Sequence, residues 1–298
     1  MGEISSRKSS KRVGNSPLEI RSSEVLLFYF IIFILGLGFG SFANVCIYRL
    51  PRGESIIRPG SHCPKCGKQI KWYDNIPLIS YALLGGKCRY CGEKISLQYP
   101  LIELITAFLF LLTYRKFQGA PVTMVIFLLL ILSLIIVSAI DFQTYTIPNK
   151  FTYPLIILGL FSSPFNSFLK EYSGIIISSS KQLSLIVSSF LGLLVGGGVL
   201  YLIALLGRKM FKREAMGGGD IKLISGVGAF LGVANVLWVI FLASLLGAVI
   251  GGALRITGKY KKFQEIAFGT YISLGTVLVF LFQPGLNRIY IDLISICK

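Results

Sequence analysis

The sequence predicts an all-α protein that crosses a membrane several times and carries one small cysteine-bearing loop domain. Of its 298 residues, 54% are hydrophobic and only 14% are charged, and the mean hydropathy is +0.72. A soluble domain carries about a quarter charged residues. Apolar runs long enough to cross about 30 Å of hydrocarbon place the chain among polytopic α-helical membrane proteins.

Eight apolar segments are predicted to span the membrane as helices. They cover residues 25–47, 100–114, 122–140, 151–163, 183–207, 221–236, 237–254 and 268–283. The second and fourth are short for about 30 Å of hydrocarbon, and the division near residue 236 has the least marked pattern. Three successive glycines, Gly196–Gly198, favour close helix packing or a local kink in the fifth segment.

The chain divides into four parts by composition. Residues 1–24 form a polar tail rich in Ser, Lys and Arg, which we predict to be disordered. No small-residue cleavage site follows the next apolar stretch, so residues 25–99 are interpreted as a retained anchor plus the cysteine loop. Residues 100–284 form a helical bundle, and residues 285–298 a C-terminal tail.

The net charge of +17 arises from 30 Lys and Arg against 13 Asp and Glu. No pattern interleaves aromatic residues with these charges, so we predict no nucleic-acid partner. Basic residues concentrate in loops 48–99, 208–222 and 255–266, which places these loops in the cytoplasm beside anionic lipid. With eight spans, Asp141, Asp220 and the cysteine loop share that cytoplasmic face.

Two C-x2-C pairs in the loop predict a metal site. The pairs are Cys63 with Cys66 and Cys88 with Cys91. Four thiolates at this spacing suit tetrahedral Zn²⁺, and four protein ligands close the coordination shell. We therefore predict a structural zinc ion and no catalytic role for it.

Residues beside the cysteines bear on this interpretation. Gly67 and Gly92 follow the two pairs and allow a tight turn around the metal. Two disulfides are the alternative, which a reducing cytoplasmic loop disfavours. His62, the single histidine, is an alternative ligand that four cysteines make unnecessary.

Two aspartates stand at the boundaries of apolar segments, where charge is costly and usually functional. Asp141 ends one segment and is followed by Ile147-Pro148-Asn149. Pro148 is expected to stop that segment and to start the next helix at a defined angle. Asp220 begins another segment and is preceded by three glycines.

These two carboxylates predict the catalytic pair of a membrane-embedded aspartyl peptidase. In a desolvated site they share one proton, because two like charges cannot both ionise cheaply. The ionised carboxylate takes a proton from water, and the protonated one donates to the carbonyl oxygen of the substrate. Gly217, Gly218 and Gly219 lack side chains, so an extended substrate backbone is expected to approach Asp220 closely.

Other interpretations of the aspartates stay open at this point. Asp220 fits the N-cap of the following helix, and Asp141 fits an interfacial residue that ends its span. An ion-coupled transporter would use the pair as an ion or proton path. A zinc-loop scaffold without catalysis would tolerate Asp141→Asn and Asp220→Asn.

The residues resemble the type IV prepilin peptidases, a leader peptidase and N-methyltransferase family of GxGD-type membrane aspartyl peptidases. The motifs D-x5-I-P-[DN], from Asp141, and G-x-G-D, ending at Asp220, follow a loop with two C-x2-C pairs. The similarity covers about residues 28–284. It includes the segments Gly40–Val45, Tyr48–Pro51, Asp74–Pro77, Tyr99–Leu104 and Met216–Leu223.

The resemblance implies removal of the short basic leader from type IV prepilins or pilin-like proteins of pilus, secretion or competence systems. Its partners would be these substrates and the lipid bilayer, with the active site facing the cytoplasm at the bacterial inner membrane. The cysteine loop accompanies bifunctional members, which implies methylation of the new N-terminal amine from S-adenosylmethionine. The sequence contains no G-x-G-x-x-G loop that would locate the methyl donor.

One segment departs from the family's pattern. Family members usually have Pro-Phe-Gly-Pro before the last span, whereas Ala267–Thr270 reads Ala-Phe-Gly-Thr. Helix geometry is expected to differ there, although the segment holds no predicted catalytic residue. Glu103, an acid within the second predicted span, is expected to have a structural or substrate-facing polar role and not a catalytic one. The alternative is a buried acid that pairs with a Lys or Arg of a neighbouring helix, or an acid near the interface.

Overall fold

The computed structural model describes residues 22–171, 180–212, 216–257 and 266–296, and the regular elements within these ranges are helices. Short 3-10 helices occur at Leu50–Arg52, Trp72–Asn75, Ser163–Phe165 and Ser167–Glu171. The predicted all-α class is confirmed. The α-helices are α1 Ser22–Arg49, α2 Ile79–Leu83, α3 Gln98–Lys116, α4 Pro121–Thr144, α5 Asn149–Ser162, α6 Lys181–Phe211, α7 Gly218–Ile256 and α8 Phe268–Ile296.

Helices α1 and α3 pack closely because small residues of α1 face the α3 backbone. A Cβ atom added at Gly36 would lie 2.5 Å from an α3 Cα atom, and one added at Gly40 would lie 2.6 Å from another. The four-residue spacing puts both glycines on one helix face. This contact holds the end of α1 beside the start of α3.

Helices α6 and α7 touch backbone to backbone. A Cβ atom at Gly192 would lie 2.2 Å from the Gly228 carbonyl oxygen. Gly196 and Gly197 also face α7, where added Cβ atoms would lie 2.9 Å and 2.2 Å from the nearest atoms. The close packing predicted for the glycine run is confirmed at these two positions, while Gly198 has no neighbour within 4 Å.

Helix α7 folds back on itself at Gly232, whose φ of 78° and ψ of 178° are not helical. An added Cβ at Gly196 would lie 3.0 Å from the Ile224 carbonyl and 2.9 Å from Val236 Cγ2. These two residues would stand about 18 Å apart along a straight helix. The helix therefore breaks at Gly232, four residues before the predicted division at residue 236, and the two separate spans stay a prediction.

Four helical segments of the described chain are long and apolar enough to cross a membrane. A shorter apolar helix covers Phe268–Gln283. The polytopic membrane class agrees with this finding, and the count of eight spans stays a prediction. The four segments are Glu24–Arg52, Pro121–Thr144, Gln182–Met210 and Gly218–Ile256.

The predicted N-terminal tail is mostly outside the described residues, whereas the predicted C-terminal tail is largely part of α8. Most of the N-terminal tail, residues 1–21, lies outside the described residues. Helix α8 continues to Ile296, past the predicted end of the last span at residue 283. The four-part domain division stays a prediction.

One end of the bundle collects the sequence motifs. Hydrogen bonds join the start of α3 to the ends of α1 and α4, the start of α5 to that of α7, and the start of α8 to the end of α4. The opposite end is filled by stacked and tilted aromatic rings of Phe117, Phe127, Phe168 and Phe280. The motifs thus share one end of the bundle, and its cytoplasmic location stays a prediction.

Candidate active site and metal centre

Asp141 lies buried in the last turn of α4, with 4% of its surface exposed. The helix ends because Tyr145 adopts a left-handed conformation, and the Tyr145 N–H donates to the Asp141 carbonyl at 2.8 Å. Pro148 follows as the N-cap of α5, with a φ of −66°. The predicted restart at Pro148 is present, but α4 ends at Tyr145 and not at Pro148.

Asp220 lies buried in the first turn of α7, and Gly217 caps that helix. Ile147 lies against Gly219, the residue before Asp220, and against Gly269, which lies beside Asp141 Oδ2. The structure therefore brings together two acids that are far apart in the sequence. Their predicted catalytic roles depend on this proximity.

Ile147 packs between the two aspartate segments and explains two glycines. A Cβ atom at Gly219 would lie 2.9 Å from Ile147 Cβ. One at Gly269, at the start of α8, would lie 2.6 Å from Ile147 Cδ1 and 3.0 Å from Asp141 Oδ2. Neither glycine has a positive φ, so the close contacts, and not the backbone conformation, require glycine here.

The other two glycines of the predicted motif differ from Gly219. A Cβ atom at Gly217 would lie 3.3 Å from Asp220 Oδ2, whereas one at Gly218 would have no neighbour within 4 Å. The backbone at Gly218 is therefore open to approach beside Asp220. This is the property that the sequence predicted for the glycine run as a whole.

The motif residues that follow the two aspartates contact each other. Lys222 Nζ donates to Asn149 Oδ1 at 2.9 Å and lies 4.9 Å from the Tyr153 ring centroid. Asn149 opens α5 directly after Pro148, and Lys222 lies in the first turns of α7. The two motifs therefore form one structural unit.

The four predicted metal ligands form a single cluster. The Sγ atoms of Cys63, Cys66, Cys88 and Cys91 all lie within 4.8 Å of one another, and the thiols are free. A tetrahedral Zn–S distance of 2.3 Å separates sulfurs by about 3.8 Å, and the Cys63 and Cys91 sulfurs are 3.9 Å apart. The arrangement fits a four-thiolate metal site.

The two halves of the cluster repeat one local geometry. In each half, the N–H of the glycine after the second cysteine donates to the carbonyl of the first, at 2.9 Å. Gly67 and Gly92 have φ values of 68° and 70°, which confirms the predicted tight turns. Backbone N–H groups directed at the Cys88 sulfur lower its pKa to about 7, which favours the thiolate form that binds metal.

His62 stands apart from this cluster. Its Nδ1 lies 3.2 Å from the Gly60 carbonyl oxygen. The four cysteines form the metal-ligand group without it.

An ion pair ties the cluster to the rest of the loop. Arg89 Nε and an Nη atom donate to the two Asp74 carboxylate oxygens at 2.8 Å and 2.6 Å. The Arg89 hydrogen bond lowers the pKa of Asp74. Because Arg89 lies between Cys88 and Cys91, this pair fixes the second half of the cluster to the short helix Trp72–Asn75.

Comparisons with known proteins match both parts of the chain. The model described as the bacterial peptidase A24 N-terminal domain matches residues 34–117, and that of the type IV leader peptidase family matches residues 128–252. The first range contains the cysteine loop, and the second contains both aspartates. The chain belongs to the type IV leader peptidase family.

Curated relatives agree with this family assignment. A prepilin leader peptidase/N-methyltransferase of Vibrio cholerae is 34% identical, over 85% of this chain and 96% of that protein. One from Bacillus subtilis is 33% identical, over 88% and 98%. One from Myxococcus xanthus is 38% identical over 76% of this chain, which spans 62% of that protein. No solved structure matches significantly.

The comparisons confirm two predictions from the sequence. The family resemblance is correct, and so is the enzyme class, a leader peptidase that is also an N-methyltransferase. The cysteine cluster agrees with a metal centre and the helices with a membrane protein. The roles of single residues are taken up as proposals below.

Thr270 is a site residue that sequence reasoning missed in this leader peptidase. The segment Ala267–Thr270 was expected to hold nothing catalytic, yet the Thr270 N–H donates to Asp141 Oδ2 at 3.0 Å. The Thr270 hydroxyl also donates to the Ser138 carbonyl at 3.0 Å. A proline, usual at this position of the family, has no N–H to donate. The replacement of that proline by Thr270 was the sequence feature that could have indicated a hydrogen bond here.

Within the described residues, Glu103 forms no ion pair with a basic side chain, the partner that one interpretation predicted. Its carboxylate Oε2 accepts a hydrogen bond from the Leu78 N–H at 2.9 Å, and its side chain is buried. Leu78 has a positive φ of 60°, an unusual conformation for this residue type. Glu103 therefore joins α3 to the end of the cysteine loop.

Proposed function

We propose that this chain is a membrane-embedded aspartyl endopeptidase that removes the leader from prepilins or pilin-like proteins and then methylates the new N-terminal amine. The observation that carries the proposal is the buried pair Asp141 and Asp220 at one end of the helical bundle. Acids are costly at such positions and are usually functional.

The two carboxylates supply acid and base for peptide hydrolysis. One is ionised and removes a proton from water as the water oxygen attacks the peptide carbonyl carbon; the other gives its proton to the carbonyl oxygen. When the intermediate collapses, the C–N bond breaks and the leaving amine takes a proton. The products are a carboxylic acid on the leader and a free amine on the mature protein.

We assign the ionised role to Asp141. The Thr270 N–H in the first turn of α8 donates to Asp141 Oδ2 at 3.0 Å, and a hydrogen bond to the charged form stabilises a carboxylate. Asp220 then holds the shared proton. The open backbone at Gly218 gives an extended substrate room beside Asp220.

Zinc is the metal that we propose for the cysteine cluster. Four thiolates are a donor set typical of structural zinc, and they leave no coordination position for water or substrate. The ion would hold the loop in shape and would take no part in hydrolysis. S-adenosylmethionine is the proposed methyl donor.

The membrane location follows from the position of the dyad. A prepilin leader precedes an apolar helix, so its cleavage site lies at a membrane boundary, as the ends of α4 and α7 do in this proposal. We place that boundary on the cytoplasmic side of the bacterial inner membrane, since the basic loops favour it. Both acids are buried at one end of the bundle, which favours a peptidase pair over the ion path of a transporter.

The decisive experiment measures prepilin cleavage in liposomes by the wild type, Asp141→Asn and Asp220→Asn. Both variants are expected to lose cleavage, because neither leaves a pair that can exchange one proton. Glu54→Gln, which removes an exposed acid from the loop, is the matched control and should cleave normally. Mass spectrometry of the mature product should show one added methyl group in the wild type. Cleavage by both aspartate variants would refute the dyad.

A further inference from the structure

A cavity of about 430 Å³ lies between the cysteine loop and the adjoining ends of α1 and α3. This volume falls in the range of small-molecule sites. The cavity is distinct from the aspartate pair and belongs to the N-terminal family region, residues 34–117. The proposed peptidase reaction makes no use of it.

A buried polar atom in the cavity wall has no protein partner. Asn44 is 3% exposed, and its Nδ2 donates to the Tyr99 carbonyl at 3.0 Å. Its Oδ1 accepts no hydrogen bond from any described residue. Buried acceptors are satisfied in folded proteins, so this atom calls for a donor from a ligand.

Two buried charges of opposite sign also line the cavity. Arg49 is 5% exposed, and its guanidinium donates to the carbonyls of Ser55 and Gly60. Glu103 is 6% exposed and accepts from the Leu78 N–H. Within the described part of the chain, neither forms an ion pair. Buried charges are normally paired, so the cavity fits a ligand that carries both an anionic and a cationic group.

We infer that this cavity is the methyl-donor site and binds S-adenosylmethionine, an inference that rests on the proposed methyltransferase function. Arg49 matches the carboxylate of the ligand, and Glu103 matches its ammonium or sulfonium cation. Asn44 Oδ1 accepts from a ligand N–H or O–H group. Tyrosine rings supply surface for the adenine base, and those that line the cavity are Tyr48, Tyr81, Tyr90 and Tyr99.

Methyl transfer at this site is a direct substitution at the methyl carbon. The nitrogen of the new N-terminal amine forms a bond to the methyl carbon, and the S–C bond breaks with its electron pair going to sulfur. One amine proton leaves, and the carboxylates that line the cavity, Asp74, Glu93 and Glu103, can accept it. No other reactant is required.

The cavity lies beside the peptidase site through α4. Gln143 lines the cavity and donates to Gln98 Oε1 at 3.0 Å. Asp141 precedes it by two positions, so the two side chains leave the helix about 200° apart. The cavity and Asp141 therefore lie on different sides of the same last turn of α4.

Equilibrium dialysis of radiolabelled S-adenosylmethionine against the purified full-length protein tests the site directly. Glu103→Gln keeps an acceptor for the Leu78 N–H but removes the charge. We expect this variant to bind S-adenosylmethionine at least tenfold more weakly than the wild type. Binding of S-adenosylhomocysteine, which lacks the sulfonium charge, should change less if Glu103 faces the sulfonium.

Glu54→Gln is the matched control, because Glu54 is an exposed acid of the same loop that does not line the cavity. Arg49→Lys is the second test and should weaken S-adenosylmethionine more than its decarboxylated analogue. Prepilin cleavage by the same preparations reports whether each variant is folded.

The outcomes separate this inference from the proposed function. Wild-type protein that methylates its product, together with unchanged ligand affinity in both cavity variants, would overturn the inference and leave the function intact. Wild-type protein that cleaves but neither binds the ligand nor methylates would overturn the methyltransferase proposal itself.

Discussion

The aspartate pair and the cysteine-loop cavity lie at the same end of the bundle but are held in place by different means. The aspartates are positioned by helix packing, with glycines against Ile147 and a backbone N–H on Asp141. The cavity is framed by a loop whose shape depends on four thiols and the Asp74–Arg89 pair. Peptidase and methyltransferase activities should therefore fail separately.

Adding a methyl group where the two aspartate segments touch is expected to reduce the cleavage rate more than the other substitutions below. A methyl group at Gly219 would lie 2.9 Å from Ile147 Cβ, which forces the segments apart. Because a misplacement of about 1 Å can cost about 100-fold in rate, Gly219→Ala should reduce cleavage by about that factor. Steady-state cleavage of prepilin in detergent measures it.

Gly198→Ala is the control for this substitution, since an added Cβ at Gly198 has no neighbour within 4 Å. It should cleave at the wild-type rate. Near-normal cleavage by Gly219→Ala would show that the Ile147 contact does not position the dyad.

Removal of the metal should separate the two activities. Cys91→Ser, or dialysis of the wild type against a chelator, is expected to lower S-adenosylmethionine binding and methylation by tenfold or more. Cleavage should fall much less, because Thr270 of α8 holds Asp141 and Ile147 packs on Gly219 beside Asp220, and these contacts lie outside the loop. Elemental analysis should find zinc in the wild type and its loss in the variant.

Cys46→Ser is the matched control, because Cys46 is a buried thiol of α1 outside the metal cluster. It should retain the metal. An equal loss of cleavage and methylation on metal removal would contradict the separation of the two sites.

Thr270 offers a sharper test of the peptidase site. Thr270→Pro removes the N–H that donates to Asp141, and proline is tolerated in the first turn of a helix. A hydrogen bond to a charged group is worth about 1.5–3 kcal/mol, so kcat should fall about 10-fold or more with little change in KM. Thr270→Val keeps the N–H and should lose less activity; equal losses would refute the role of the N–H.

The sequence predicted more of the site's components than of their arrangement. Asp141, Asp220 and the four cysteines were identifiable because costly acids and paired thiols have recognisable spacing. The contact of Thr270 with Asp141 joins residues 129 positions apart and depends on how α8 packs, which local pattern does not encode. The helix break at Gly232 was predicted near residue 236 instead, because the apolar pattern continues through Gly232 and does not show the positive φ that interrupts the helix.

The Asp74–Arg89 pair should give the smallest effect, because Arg89 is half-exposed and solvent there weakens its attraction to the Asp74 carboxylate. Arg89 lowers the Asp74 pKa, so the pair stabilises the loop above the ordinary Asp pKa of about 3.9, and this contribution disappears as the pH falls through the lowered value. Asp74→Asn should therefore make the loop modestly more sensitive to protease at neutral pH. The difference from wild type should shrink below a pH of about 4. A difference that persists in acid would show that Asp74 acts through packing, not charge.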